Sequence, residues 1–172
     1  MNIRFLNPFV EAAYEVIAVE TGIKMQRGEL NLLHSDYITN DVTVIISLVG
    51  DVEGNVFYSM NQQTAVALAS SMLSEHIDSF DSLAQSGIAE LGNVITGRAS
   101  IKLSEAGFEA NISPPTLLTG SGAIISTLDF QRLVVPMDSE LGRIEIHLAL
   151  RQSVSTGKKA SEIATPPSPL PN

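Results

Sequence analysis

From Asp41 to Met60 the chain reads DVTVIISLVGDVEGNVFYSM, two runs rich in β-branched residues on either side of Asp51-Val52-Glu53-Gly54. Such runs around an acidic, glycine-ended turn predict a β-hairpin. The hairpin commits this region to an antiparallel sheet, and the helical patterns on both sides of it leave helices as the layer that covers the sheet.

Those helices announce themselves by their ends. Asn7 as N-cap, Pro8 at the first helical position and Gly22 beyond the last predict a helix from Phe9 through Thr21. Asn61 caps a second helix, QQTAVALASSML. Asp81 or Ser82 caps a third, SLAQSGIAELGNVITGRASIKLSEAG, which Gly107 ends. The remainder returns to strands: an extended piece with Pro114-Pro115, then AIISTLDFQRLVVPM, a turn at Asp138 to Gly142, and RIEIHLALR. In the last, Ile144, Ile146 and Leu148 alternate with Arg143, Glu145 and His147, the pattern of one buried and one wet face.

A short internal repeat is visible in the chain. YEVIAVETG (Tyr14 to Gly22) aligns with AELGNVITG (Ala89 to Gly97), matching Glu15 to Glu90 and Thr21-Gly22 to Thr96-Gly97, with Ala18 opposite Asn93. Each copy leads to a strand, an acidic turn and a further strand. The expected fold is therefore α/β (α+β): two pseudo-symmetric halves sharing a mainly antiparallel sheet, with long helices packed on one face. This domain spans residues 1–151. The segment 152–172, with Pro166, Pro167, Pro169 and Pro171 among Ser, Thr, Lys and Ala, is expected to be a disordered tail, either dispensable or a proline-rich recruiting segment.

Composition narrows the chemistry. With no cysteine in 172 residues there is no thiol nucleophile, thiolate metal site or disulfide, so packing alone must hold the fold, as suits a cytoplasmic protein. Ten Lys plus Arg against nineteen Asp plus Glu give a net charge of -9, which opposes binding to nucleic acid or to an anionic membrane. No secretory pattern opens the chain and no apolar run approaches 18 residues. His34, His76 and His147 lie far apart in sequence, and no nucleotide-binding loop or nucleophile elbow occurs.

The third helix holds Gly87, Gly92 and Gly97, each costing about 1 kcal/mol relative to alanine in an exposed helix interior. At about 100° per residue with Ser86 at zero, Glu90 falls near 40°, Asn93 near 340° and Gly97 near 20°, opposite the apolar stripe Ile88, Leu91, Ile95 and Ala99. Glu90 and Asn93 thus stand side by side on an exposed ridge, their Cβ atoms about 5–6 Å apart, and Gly97 leaves the ridge bare for another surface. Periodicity alone is equally satisfied by polar residues in solvent, with glycines serving helix packing.

Ser86-x-x-x-Glu90-x-x-Asn93 followed by a downstream proline resembles the signature of the CheC/CheX/FliY phosphatases, and the layout from about Asn7 to Leu150 is similar to the CheX members. The resemblance implies hydrolysis of the aspartyl phosphate of a CheY-like response regulator. On it, Glu90 pairs with a lysine of the receiver domain, the Asn93 amide orients the attacking water, and Ser86, Gly97 and Pro114 belong to the contact. It also implies no metal of the chain's own, Mg²⁺ and the phosphoryl group arriving on the receiver, and a homodimer through sheet edges, for which AIISTLDF is a candidate. The copy with Glu15 and Ala18 should be inactive. The family's proline follows the Asn by a slightly longer interval than the 21 and 22 positions of Pro114 and Pro115.

Other residues are read more plainly. His34 in a loop and His147 on the wet face are structural or surface histidines, and Met60, Met72 and Met137 fill the core. Two rivals accompany the phosphatase: a non-catalytic module that binds a receiver or dimerises on the same fold, and a small-molecule-binding domain, disfavoured because no polar cluster is expected to point into a core.

Overall fold

The computed structural model describes residues 3–34, 36–127 and 130–154. Three helices, α1 (Ile3–Thr21), α2 (Gln62–Leu73) and α3 (Ser82–Glu105), accompany ten strands: β1 (Gln26–Arg27), β2 (Asn31–Leu33), β3 (Tyr37–Ile38), β4 (Val42–Gly50), β5 (Val52–Met60), β6 (Ala110–Ile112), β7 (Thr116–Thr119), β8 (Ile124–Ile125), β9 (Arg132–Ser139) and β10 (Gly142–Gln152). Eight strands form one antiparallel sheet in the order β1-β9-β10-β5-β4-β6, with β2 also on β9 and β7 also on β4; β3 and β8 form a separate pair.

That order is unchanged when β1–β5 are exchanged for β6–β10 and the list is reversed. The repeat seen in the sequence is thus a pseudo-two-fold of the fold. Its halves interlock: β1 and β2 pair with β9 of the second half, while β6 and β7 pair with β4 of the first. The hairpin read at 41–60 is β4–β5, but its pairing ends at Leu48 opposite Gly54, so the connection centres on Val49–Glu53 rather than Asp51–Gly54. Beyond that point the two strands continue on different partners, β4 on β6 and β5 on β10.

The core lies between the sheet and the helices. Val42, Val44, Ile46 and Leu48 of β4 and Ile144, Ile146 and Leu148 of β10 face α1, α2 and α3, and Met60 and Met137 fill that core as expected while Met72 packs at its margin. Asn61 and Asp81 act as the N-caps foreseen, their side chains accepting from Thr64 N–H and from Leu83 and Ala84 N–H. Gly22, at φ +71°, closes α1.

Three further sequence expectations change. α1 begins at Ile3, not after an Asn7 cap, with Pro8 inside the helix. Burial of Phe5, Leu6 and Phe9, with Phe5 edge-on to Phe108 at 5.3 Å, stabilises the extra turn despite the proline. Proline there removes one helical N–H donor, close to the start of the helix. AIISTLDFQRLVVPM is not one strand: its start is β8, paired with β3 of the same chain, and its end is β9 of the main sheet. Finally, β3 and β8 lie over the sheet face opposite the helices, where Tyr37, Phe57 and Ala149 make a second small cluster with Ile45, Ile125 and Phe130. His147 is buried there at 5% exposure, so that face of β10 is not wet throughout.

Gln152 ends β10, and Ser153 N–H donates to Asp51 O. The remainder of the segment read as a tail, residues 155–172, lies outside the described residues.

Candidate active site

α3 is fixed to the sheet by its glycine and threonine. A Cβ at Gly92 would stand 2.9 Å from Val44 Cγ1 and 3.2 Å from Tyr58 Cδ2, so the bare backbone lets the helix lie close on β4 and β5. The buried Tyr58 hydroxyl and Thr96 Oγ1 are 2.8 Å apart, and Thr96 in turn donates to Gly92 O. Burial drives the Tyr58 phenol well above its usual pKa, so it stays neutral and keeps this bond. These contacts, together with buried Ile88, Leu91, Ile95 and Ala99, offset the helical cost of Gly92 and set the rotation of α3.

Rotation in turn exposes the opposite stripe. Glu90 is exposed and Asn93 is part-exposed. Asn93 Nδ2 donates to Glu90 Oε2 at 3.4 Å. Ser86, one turn earlier, is exposed and donates back to Ser82 O at 2.8 Å. Gly97, one turn later, is half-covered: a Cβ there would meet Ile112 Cδ1 of β6 at 3.9 Å, ordinary contact, so the ridge is not wholly bare. Pro114 is exposed in the β6–β7 loop, two residues beyond Ile112, where Ser113 holds the loop to β4 by bonds to Ser47 in both directions.

The aligned glutamate of the other half has a different fate. Glu15 receives Arg98 Nε at 2.9 Å and Lys102 Nζ at 2.8 Å, and Lys102 also reaches Glu11 at 3.3 Å. Bonds from Lys102 first and Arg98 second lower the Glu15 carboxyl below its ordinary pKa, and Glu15 raises Lys102. Glu90 has no salt bridge among the described residues. One carboxylate of the pseudo-symmetric pair is tied across α1 and α3; the other faces out beside an amide able both to donate and to accept.

A profile of the family described as Chemotaxis phosphatase CheX matches residues 42–138, which carry α3 and the ridge. The chain belongs to the CheX family. Among curated CheX relatives, the CheY-P phosphatase CheX of Thermotoga maritima is 29% identical over 153 residues, covering 88% of this chain and 98% of that protein. A CheC-like superfamily protein from Shewanella sp. PV-4 superposes with a TM-score of 0.80 at 26% identity, covering 88% and 99% of the two chains. A chain of the CheX–CheY–BeF3–Mg²⁺ complex from Borrelia burgdorferi gives 0.76 at 30% identity, covering 88% and 100%. The pseudo-symmetric sheet with helices on one face is thus the CheX fold.

This CheX-family chain also holds a polar cluster that alternation did not reveal. Arg132 and His147 are both buried behind Tyr37, with the guanidinium 5.2 Å from the Tyr37 ring centre and the His147 ring 4.8 Å from it. His147 Nε2 lies 3.3 Å from Glu145 Oε2, within ion-pair range but outside hydrogen-bond geometry. The expectation that no polar cluster points inward is therefore corrected. The missed signal was Tyr37-Ile38, too short a run to read as a strand.

Burial lowers the His147 pKa below its ordinary 6.5, and neighbouring Glu145 pulls more weakly upward. An unfolded histidine takes up its proton near pH 6.5 while the folded one stays neutral, so the unfolded state binds more protons and stability declines as pH drops below that point. Thermal unfolding at pH 7.5 and 5.5 checks this: wild type should lose more of its Tm on acidification than His147→Phe, and equal losses would refute it. The facing charges Glu145, Arg132 and Asp36 are common to both proteins. In the wild type Glu145, held below its ordinary value first by neighbouring His147, changes protonation only at lower pH.

Proposed function

We propose that the chain hydrolyses the aspartyl phosphate of a CheY-like receiver domain, with Glu90 as anchor and Asn93 as the residue that orients water. The observation that carries this reading is the outward pair on α3: a carboxylate with no ion-pair partner among the described residues, 3.4 Å from a carboxamide, on a helix whose rotation the core dictates.

Phosphoryl transfer from an activated acyl phosphate demands little covalent chemistry of the protein; it needs an in-line water and neutralised charge. The receiver brings the phosphoryl group, and Mg²⁺ belongs to the receiver's side, in keeping with a related CheX being known in complex with CheY, BeF3 and Mg²⁺. Glu90 supplies the charge that a lysine beside the phosphoaspartate requires. The Asn93 carbonyl accepts from the water and its amide group donates, which fixes the direction of attack without removing a proton, so the effect is one of positioning. Water attacks phosphorus, the bond to the aspartyl oxygen breaks, and inorganic phosphate and the free carboxylate leave. Ser86, Gly97 and Pro114 flank the pair along the contact. A homodimer through the β1–β2 edge is compatible with this, since that edge lies at the other end of the sheet from β6–β7, whose connecting loop carries Pro114.

The rival is a module that binds the receiver without hydrolysis. Decay of a receiver's phosphoaspartate with and without the protein separates them, since only the phosphatase accelerates it. In Glu90→Ala both affinity and acceleration should drop, the apparent KM rising about tenfold as a charge-assisted contact is lost. An unchanged KM would remove Glu90 from the anchor role.

A further inference from the structure

Val19 and Val94 are both exposed, Val19 at 80%, and they line one groove of about 380 Å³ between α1 and α3 with Glu15, Val16, Glu20 and Arg98. They are also the same position in the two halves: the alignment that sets Glu15 opposite Glu90 sets Val19 opposite Val94. Scattered exposed valines need no explanation, but two meeting across a pseudo-symmetric helix pair beside a candidate site do.

Resting on the reading above, we propose that this groove is the second part of the receiver-docking surface, with Val19 and Val94 making the apolar contact that sets affinity while Glu90 and Asn93 act on the phosphoaspartate. Continuity is the first reason. At about 100° per residue Val94 lies about 40° round α3 from Glu90, and Arg98 follows about 40° further on, where it joins α1 through Glu15. A body seated on Asn93 and Glu90 therefore reaches the groove before it meets α1.

Charge is the second reason. Arg98 and Lys102 neutralise Glu15, whereas Glu20 and Glu90 at the groove and ridge have no ion pair among the described residues. An apolar strip bordered by two free carboxylates fits a partner face with a basic residue beside an apolar one, the face that a receiver presents if its lysine is to reach Glu90. An exposed ion pair alone contributes little, so the complex needs apolar area, and this groove is where such area adjoins the ridge.

The test uses the full chain and a CheY-like receiver, either phosphorylated for turnover or locked with beryllofluoride for binding. Val19→Ser/Val94→Ser should raise KM and the Kd for the locked receiver about tenfold, with kcat within about twofold and Tm unchanged. The control Ile38→Ser, on the opposite face, should alter neither. An unchanged Kd overturns the proposal. So does a change in sedimentation mass in the double variant, which would make the groove a contact between copies. Deletion of residues 155–172 that tightens receiver binding in wild type but not in the variant would also overturn it, making the groove the seat of that segment. If wild type binds the locked receiver without accelerating decay, the phosphatase reading falls while the variants' Kd still decides the groove. If wild type does not bind, both fall.

Discussion

In Asn93→Ala, decay of the receiver's phosphoaspartate should return to the receiver's own rate, a loss of about 100-fold or more, because a water held only by its neighbours is no longer in line. Affinity for the beryllofluoride-locked receiver should change less than threefold, since Glu90 and the rest of the helix face remain. This split distinguishes positioning from docking: a variant that loses binding and rate together would make Asn93 an anchor, and one that retains the rate would remove it from the chemistry. Asn93→Asp sharpens the result. Its carboxylate keeps the acceptor but cannot donate and places a negative charge beside Glu90 and the phosphoryl group, so it should not rescue activity.

The second large effect is on stability. Phe5 is 1% exposed and meets Phe108 edge-on, joining the first turn of α1 to the chain that follows α3. Truncation to alanine removes a buried aromatic and leaves a cavity, at a cost of about 3–5 kcal/mol. For a chain of this length that corresponds to a fall in Tm of about 6–20 °C, measurable by calorimetry. If the helix began only after Asn7, Phe5 would lie outside it and its removal would cost far less.

Phe5 also marks where reading the sequence stops working. Caps that satisfy their own backbone, Asn61 and Asp81, are legible because the donor and acceptor lie within three residues of each other. Asn7-Pro8 offers the same local signal, yet distant packing of Phe5 against Phe108 overrides it. The ridge is legible for a related reason: the rotation of α3 follows from Ile88, Leu91, Ile95 and Ala99, all on that helix. Which glycine approaches the sheet is not, because Gly87, Gly92 and Gly97 look alike until Val44 and Tyr58 stand beside only one of them. His147 shows the same limit. Alternation along β10 sorts its residues into two faces, but only the remote pair β3–β8 determines that the second face is covered.

The neutralised Glu15 bears on this too. Sequence alignment shows that Ala18 stands where Asn93 stands in the other copy, but the silencing of Glu15 depends on Arg98 and Lys102, about 80 residues away. Restoring an asparagine at position 18 alone would therefore give an amide beside a carboxylate already paired.

The exchange of strands between the halves has a consequence for how the domain forms. Each half completes the other's sheet edge, so neither the segment through β5 nor the segment from α3 onward contains a finished sheet. Nascent chain emerging with α1 and β4–β5 must wait for β6, β7, β9 and β10 before its edges are covered, which favours a single late, cooperative folding step over stepwise assembly of two subdomains. The first half, which lacks the Glu–Asn pair, is consequently free to change at Glu15 and Ala18 while remaining indispensable to the ridge on α3.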